Sequence, residues 1–112
     1  MKDGYRTKSH CKFIIKLHVV FVTKYRKEIL TGELDTKIRK IIQEISEMKD
    51  SLFRIDVMES DNNHIHMLLD IDPNISVTSI VRRIKQISSF RIWKEYEVFL
   101  RKFYWKEKNI LE

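Results

Sequence analysis

The stretch Asn63-His64-Ile65-His66-Met67-Leu68-Leu69-Asp70-Ile71 decides how the chain is read. Ile65, Met67, Leu69 and Ile71 share one parity and His64, His66 and Leu68 the other, the period of a strand with one buried face. Residues two apart on such a strand stand roughly 6.5–7 Å apart at Cα. The two imidazoles therefore project together, close enough for both to reach one ion. Histidine is the commonest side-chain metal ligand, but a site needs at least a third group. On the residues alone two readings stay open: a metal-holding pair, or the polar outer face of a half-buried strand. The other histidines, His10 and His18, belong to an earlier segment.

Working outward, Leu52 to Ser60 alternates with Phe53, Ile55 and Val57 on one side, and Ser60-Asp61-Asn62-Asn63 supplies turn chemistry. Together with the histidine strand this predicts a β-hairpin. Upstream, β-branched and aromatic residues from Phe13 to Thr23 predict a strand buried on much of both faces, followed by a basic loop, Lys24-Tyr25-Arg26-Lys27. Leu34, Ile38, Ile41, Ile42, Ile45 and Met48 then recur at helical spacing. Thr31-Gly32 with the early acids Glu33 and Asp35 suits the start of that helix. Downstream, Asp72-Pro73-Asn74 breaks the pattern, and Ser76 is a candidate N-cap for a helix carrying Val77, Ile80, Val81, Ile84 and Ile87 to about Tyr96.

The order β-α-β-β-α predicts an α+β fold, a ferredoxin-like (RRM-like) sandwich with an antiparallel sheet and helices on one face. Its last strand is expected to be missing or to come from residues 98–112, a tail broken up by Lys106, Glu107 and Lys108. One domain is expected over residues 1–112, a length that supports a single core.

The chain is 43% hydrophobic and 34% charged, with a formal net charge of +6. The excess is uneven: residues 1–30 hold eight basic and two acidic side chains, residues 80–108 nine and three, and the middle is net acidic. Such a balance favours a polyanionic partner, because each phosphate neutralised releases condensed counterions. Aromatics interleave with basic residues in Phe90-Arg91-Ile92-Trp93-Lys94 and Leu100-Arg101-Lys102-Phe103-Tyr104-Trp105-Lys106. They suit either stacked bases on a charged groove or a core and partner contact. A lone Cys11 excludes an intramolecular disulfide framework. The apolar run Val19-Val20-Phe21-Val22 is far short of a membrane span and no signal peptide is evident, so a cytoplasmic protein without membrane contact is expected.

Three stretches carry a family resemblance: His18-Val19-Val20-Phe21-Val22-Thr23-Lys24-Tyr25-Arg26-Lys27, the hairpin ending in His64-Ile65-His66-Met67-Leu68-Leu69-Asp70, and the Ser76-to-Arg91 helix. Together they resemble the single-tyrosine HUH transposases, TnpA-like enzymes of the smallest insertion sequences with relatives associated with repetitive extragenic palindromes. The resemblance runs from about Lys12 to Trp105. It implies a homodimer that binds single-stranded DNA hairpins and cuts and rejoins them through a covalent phosphotyrosine. A divalent metal ion, Mg or Mn, polarises the scissile phosphate in such enzymes.

Carried over by position, His64 and His66 match the metal pair. Lys24, Tyr25 and Arg26 match the basic DNA-contacting motif after the first strand, and Arg82, Arg83 and Lys85 on the late helix are further DNA-binding candidates. Asn62 and Asn63 stand where short polar turn residues occur, and His18 matches a recurrent position whose simplest role is a hydrogen-bonded structural one. The family's nucleophilic tyrosine and a glutamine-type third ligand lie on a final helix beyond the aromatic segment, so a chain without its nucleophile is expected. Tyr5, Tyr25, Tyr96 and Tyr104 do not match that position. Two alternatives stand beside the transposase reading. One is an inert hairpin-binding module, the other a small hydrolase using the histidine pair with Glu59 or Asp61.

Overall fold

In a computed structural model, residues 14–105 and 109–112 are described; Tyr5, His10, Cys11, Phe13, Lys106, Glu107 and Lys108 lie outside them. The elements run β1 (Ile15–Val22), α1 (Gly32–Ser46), β2 (Phe53–Asp61), β3 (His64–Ile71) and α2 (Val77–Leu100), with a short 3-10 turn over Lys24–Arg26. The three strands form one antiparallel sheet in the order β1-β3-β2. This is the expected α+β, ferredoxin-like arrangement.

The central strand behaves as its alternation predicts. Ile65, Met67, Leu69 and Ile71 are buried, while His64, His66, Leu68 and Asp70 lie half-exposed on the other face. Both helices cover the first face. Leu34, Ile38, Ile41, Ile42 and Ile45 of α1 and Ile80, Ile84 and Ile92 of α2 close the core over β3 and over Val19 and Phe21 of β1. Each such side chain removed from water contributes about 1.5–3 kcal/mol.

Two expectations need correction. β1 is buried on one face alone: Val19 and Phe21 face the core, but His18 and Val20 on the other face are exposed. The helices cover a single side of the sheet, so an apolar run need not mean burial on both. In β2, a register shift between Ile55 and Val57 lets Asp56 bulge out. The side-chain parity flips there, so Val57 is 46% exposed and Met58 packs against the core in its place. A bulge adds one residue to one strand and turns every following side chain over.

The connections follow local chemistry. Ser76 caps α2, its Oγ accepting the Ser79 N–H, as expected. Tyr96 departs from helical geometry at φ −123°, close to the expected end, but the helix resumes to Leu100. Gly32 opens α1 at φ 54°, a conformation that disfavours any side chain. Arg39 on α1 donates to the Met58 carbonyl at 3.1 Å, and Ser60 Oγ donates to Asp35 at 2.6 Å, tying the helix to β2.

The tail also finds a place. Val22 and Glu112 exchange backbone hydrogen bonds of 3.2 and 2.7 Å, and Lys24 N–H donates to the Ile110 carbonyl at 2.8 Å. Residues 110–112 thus pair antiparallel with the outer edge of β1 at its C-terminal end, where a ferredoxin-like sandwich carries its fourth strand. Ile110 and Leu111 are buried. Among the described residues no helix is long and apolar enough to cross a membrane.

Candidate metal and nucleic-acid site

The open face of the sheet is read directly from the register. His64 and His66 on β3 lie between Val22 and Val20 of β1 on one side and Asp61 and Glu59 of β2 on the other. The two imidazoles meet edge to face with centroids 4.8 Å apart. The spacing of two on one strand therefore does bring them together, on the face the helices leave uncovered.

Asn63 orients the first of them. His64 Nδ1 lies 2.9 Å from Asn63 Oδ1, an oxygen that accepts from an Nδ1–H and leaves Nε2 as the ring nitrogen turned away from it. That nitrogen lies 3.9 Å from Asp61 Oδ2. Metal-ligating histidines are commonly held in this way, with the other ring nitrogen donating to a fixed oxygen. His18 comes in from β1 and stacks on His66 with centroids 5.7 Å apart. His18 lies on a separate segment of sequence, and antiparallel pairing of β1 with β3 makes the two rings neighbours.

The basic motif after β1 is at the same end of the sheet. Thr23 N–H donates to the Asn63 carbonyl at 2.8 Å and Leu30 N–H to the Asn62 carbonyl at 2.8 Å, so the turn is tied to the β2–β3 hairpin. Inside it, Tyr25 and Arg26 take left-handed backbone conformations at φ 60° and 53°. Non-glycine residues adopt these at some energetic cost, and such residues cluster at functional sites. Tyr25 is 60% exposed.

Arg82, Arg83 and Lys85 are placed elsewhere. They sit on the first turns of α2, in the layer that packs on the opposite face of the sheet. Arg83 is engaged by Asp50 through contacts of 3.1 and 3.2 Å, and this guanidinium holds the Asp50 carboxyl below its ordinary range. Lys16 sits on the histidine face but is paired with Asp70 at 2.6 Å and Asp56 at 3.4 Å.

Two imidazoles offer two coordination positions. Among the described residues no cluster of three or more histidines, cysteines or acids is arranged to hold a metal. An ion held there would need further ligands from water or phosphate oxygens to complete its shell.

The three-stranded antiparallel sheet with both helices on one face places the chain among small α+β proteins of ferredoxin-like fold. A crystal structure described as that of a transposase from Deinococcus radiodurans R1 superposes with a TM-score of 0.80, covering 94% of this chain and 78% of the other at 18% identity. The family described as "Transposase IS200 like" matches residues 11–109, and the chain belongs to that family. The transposase for insertion sequence element IS200 from Salmonella typhimurium is 34% identical over 88 residues, 79% of this chain. The ISDra2 transposase TnpA of Deinococcus radiodurans is 26% identical over 82 residues, 73% of this chain. Each match spans 57% of the relative's own length.

Proposed function

We propose that the chain binds a single-stranded DNA hairpin across the open sheet face and presents one phosphate to a divalent ion held by His64 and His66. The observation that carries this reading is the juxtaposition of the two imidazoles, one oriented by Asn63, with a basic turn tied to the same hairpin.

The charges suggest the path of the strand. Glu59 and Asp61 line the β2 side of the histidines, and the Lys24-Tyr25-Arg26 turn follows β1 on the other. Carboxylates repel phosphate, so the backbone approaches from the β1 side, where Lys24 and Arg26 neutralise it and Tyr25 offers a ring for stacking. Arg82, Arg83 and Lys85 would meet DNA only where it passes around to the helix layer.

An ion at the pair, Mg²⁺ or Mn²⁺, would polarise the phosphate and withdraw charge from its oxygens. His64 and His66 hold and orient, and Asn63 fixes the ring of the former. The transposition step proposed for the whole protein is attack by a tyrosine hydroxyl on phosphorus. The new bond to tyrosine replaces the bond to the 3′ oxygen, which leaves with a proton as a free 3′-hydroxyl. The Tyr104 hydroxyl is committed to the Lys24 carbonyl, and Tyr96 lies on the helix layer.

A homodimer in the cytoplasm completes the proposal. Among the described residues the outer edge of β1 carries no strand between Ile15 and Phe21, and an open edge invites pairing with a second copy.

Labelled hairpin DNA incubated with the protein and Mn²⁺ tests the function. A covalent protein–DNA adduct supports the transposase step, and binding without cleavage supports a hairpin-binding module. Hydrolysis without an adduct would favour a water-activating site with Glu59 or Asp61. No binding, with or without the ion, would overturn the proposal.

A further inference from the structure

The basic turn is held from far along the chain. Tyr104, just past α2, is fully buried, and its hydroxyl donates to the Lys24 carbonyl at 2.9 Å, across eighty positions of sequence. Its ring lies 6.3 Å from that of Tyr25. The remaining backbone group of Lys24, its N–H, donates to the Ile110 carbonyl at 2.8 Å. Ile110 is itself pinned to α2, its N–H donating to the buried Ser89 Oγ at 3.1 Å. Both polar backbone groups of Lys24 are therefore fixed by the segment that follows α2.

Tyr25 and Arg26, which come next, are two consecutive left-handed non-glycine residues. Such backbone persists where the surroundings over-determine it. Inside the turn, Thr23 Oγ1 donates to the Lys27 carbonyl at 2.6 Å and Arg26 N–H to the Thr23 carbonyl at 2.8 Å. A longer bond of 3.4 Å from the Lys27 N–H to the Lys24 carbonyl completes the loop, and Thr23 N–H on the Asn63 carbonyl ties its start to the β2–β3 hairpin. The bonds from Tyr104 and Ile110 are the ones that hold Lys24 from outside both.

We infer that Tyr104 is a positioning residue for the basic turn: its buried hydroxyl anchors the Lys24 carbonyl and so keeps Tyr25 and Arg26 in the conformation that presents them at the histidine end of the sheet. The functional consequence rests on the single-stranded DNA reading above. Tyr104 itself touches no DNA.

Tyr104→Phe keeps the buried ring and removes the anchor, leaving the carbonyl with only the longer 3.4 Å bond from the Lys27 N–H inside the turn. The turn contains Lys24, Arg26 and Lys27, so limited trypsin digestion reads its opening directly. The expected result is selective nicking after these residues, with single-stranded DNA bound about three- to ten-fold more weakly, the size of one net hydrogen bond. Ile41→Val, a core change on α1 outside the turn, is the control for general loosening. The inference is overturned if Tyr104→Phe nicks at the turn no faster than wild type, or raises cleavage at all sites alike in the pattern of Ile41→Val. Wild-type protein that binds no single-stranded DNA would sink the functional reading, while the digestion pattern would still decide whether the anchor exists.

Discussion

His18 and His66 stack across two strands that are nearly fifty residues apart in sequence, with ring centroids 5.7 Å apart. The stack braces the second imidazole of the pair, because β1 is itself held to β3 by the ladder from Ile15↔Ile71 to Val22↔His64. His18→Phe should preserve the brace and the affinity for Mn²⁺. His18→Ala should weaken Mn²⁺ binding several-fold by freeing the His66 ring, since residues behind the ligands tune affinity. Titration of the Mn²⁺ electron paramagnetic resonance signal measures both, and equal affinities for the two variants would show that the stack is idle.

Asn63→Ala removes the acceptor for His64 Nδ1–H and leaves the backbone bond from Thr23 to the Asn63 carbonyl intact. The turn and the fold should survive. Divalent-ion binding should fall by roughly ten- to a hundred-fold, the usual size of losing such a partner. His64→Ala and His66→Ala should abolish it, with far-ultraviolet circular dichroism unchanged.

Gly32 enters α1 at φ 54°, and a Cβ placed there would meet nothing within 4 Å. The cost of Gly32→Ala is therefore conformational and not steric. About 1–2 kcal/mol of stability should be lost, measured by urea unfolding. A neutral or stabilising outcome would mean that the helix can begin one residue later without penalty.

How much of this was legible in the residues depended on whether the deciding contact is local. The β3 alternation and the α1 spacing are properties of single segments, and the core positions read from them are buried except Met48, which lies past the end of α1 at Ser46 and is 38% exposed. The partnership of His18 with His66 depends on strand register, which no local pattern encodes. The separation of Arg82, Arg83 and Lys85 from the histidines depends on which sheet face the helices cover. The docking of Ile110 and Leu111 was hidden because the tail reads as charged and interrupted, while its few apolar residues fill the space beside β1. Asn63 carried a faint signal: a short amide beside a histidine pair, read there as turn chemistry alone.

The Asp50–Arg83 pair makes a pH prediction. Hydrogen bonding to Arg83 holds the Asp50 carboxyl below its ordinary value, so the folded state binds this proton less readily than the unfolded chain. The pair's contribution is complete above the unfolded carboxylate pKa and is lost as pH falls through the folded one. Thermal unfolding of wild type and Asp50→Asn should differ at neutral pH and converge in acid. The gap should be small and shrink in high salt, because both groups face solvent. A gap independent of pH would assign the effect to something other than this carboxylate.

The bulge at Asp56 sets the sign of two neighbouring substitutions in β2. Val57 lies on the exposed face and Met58 against the core, the reverse of what uninterrupted alternation from Phe53 demands. Val57→Ala should therefore change stability by no more than about 0.5 kcal/mol, as surface changes do. Met58 is only partly buried, so Met58→Ala should cost about 1–3 kcal/mol, toward the lower end of a core truncation. If unfolding shows Val57→Ala to be the more damaging, the strand runs in unbroken register. Glu59 and Asp61 would then turn away from His66 and His64, and the carboxylate rim of the proposed site would be lost.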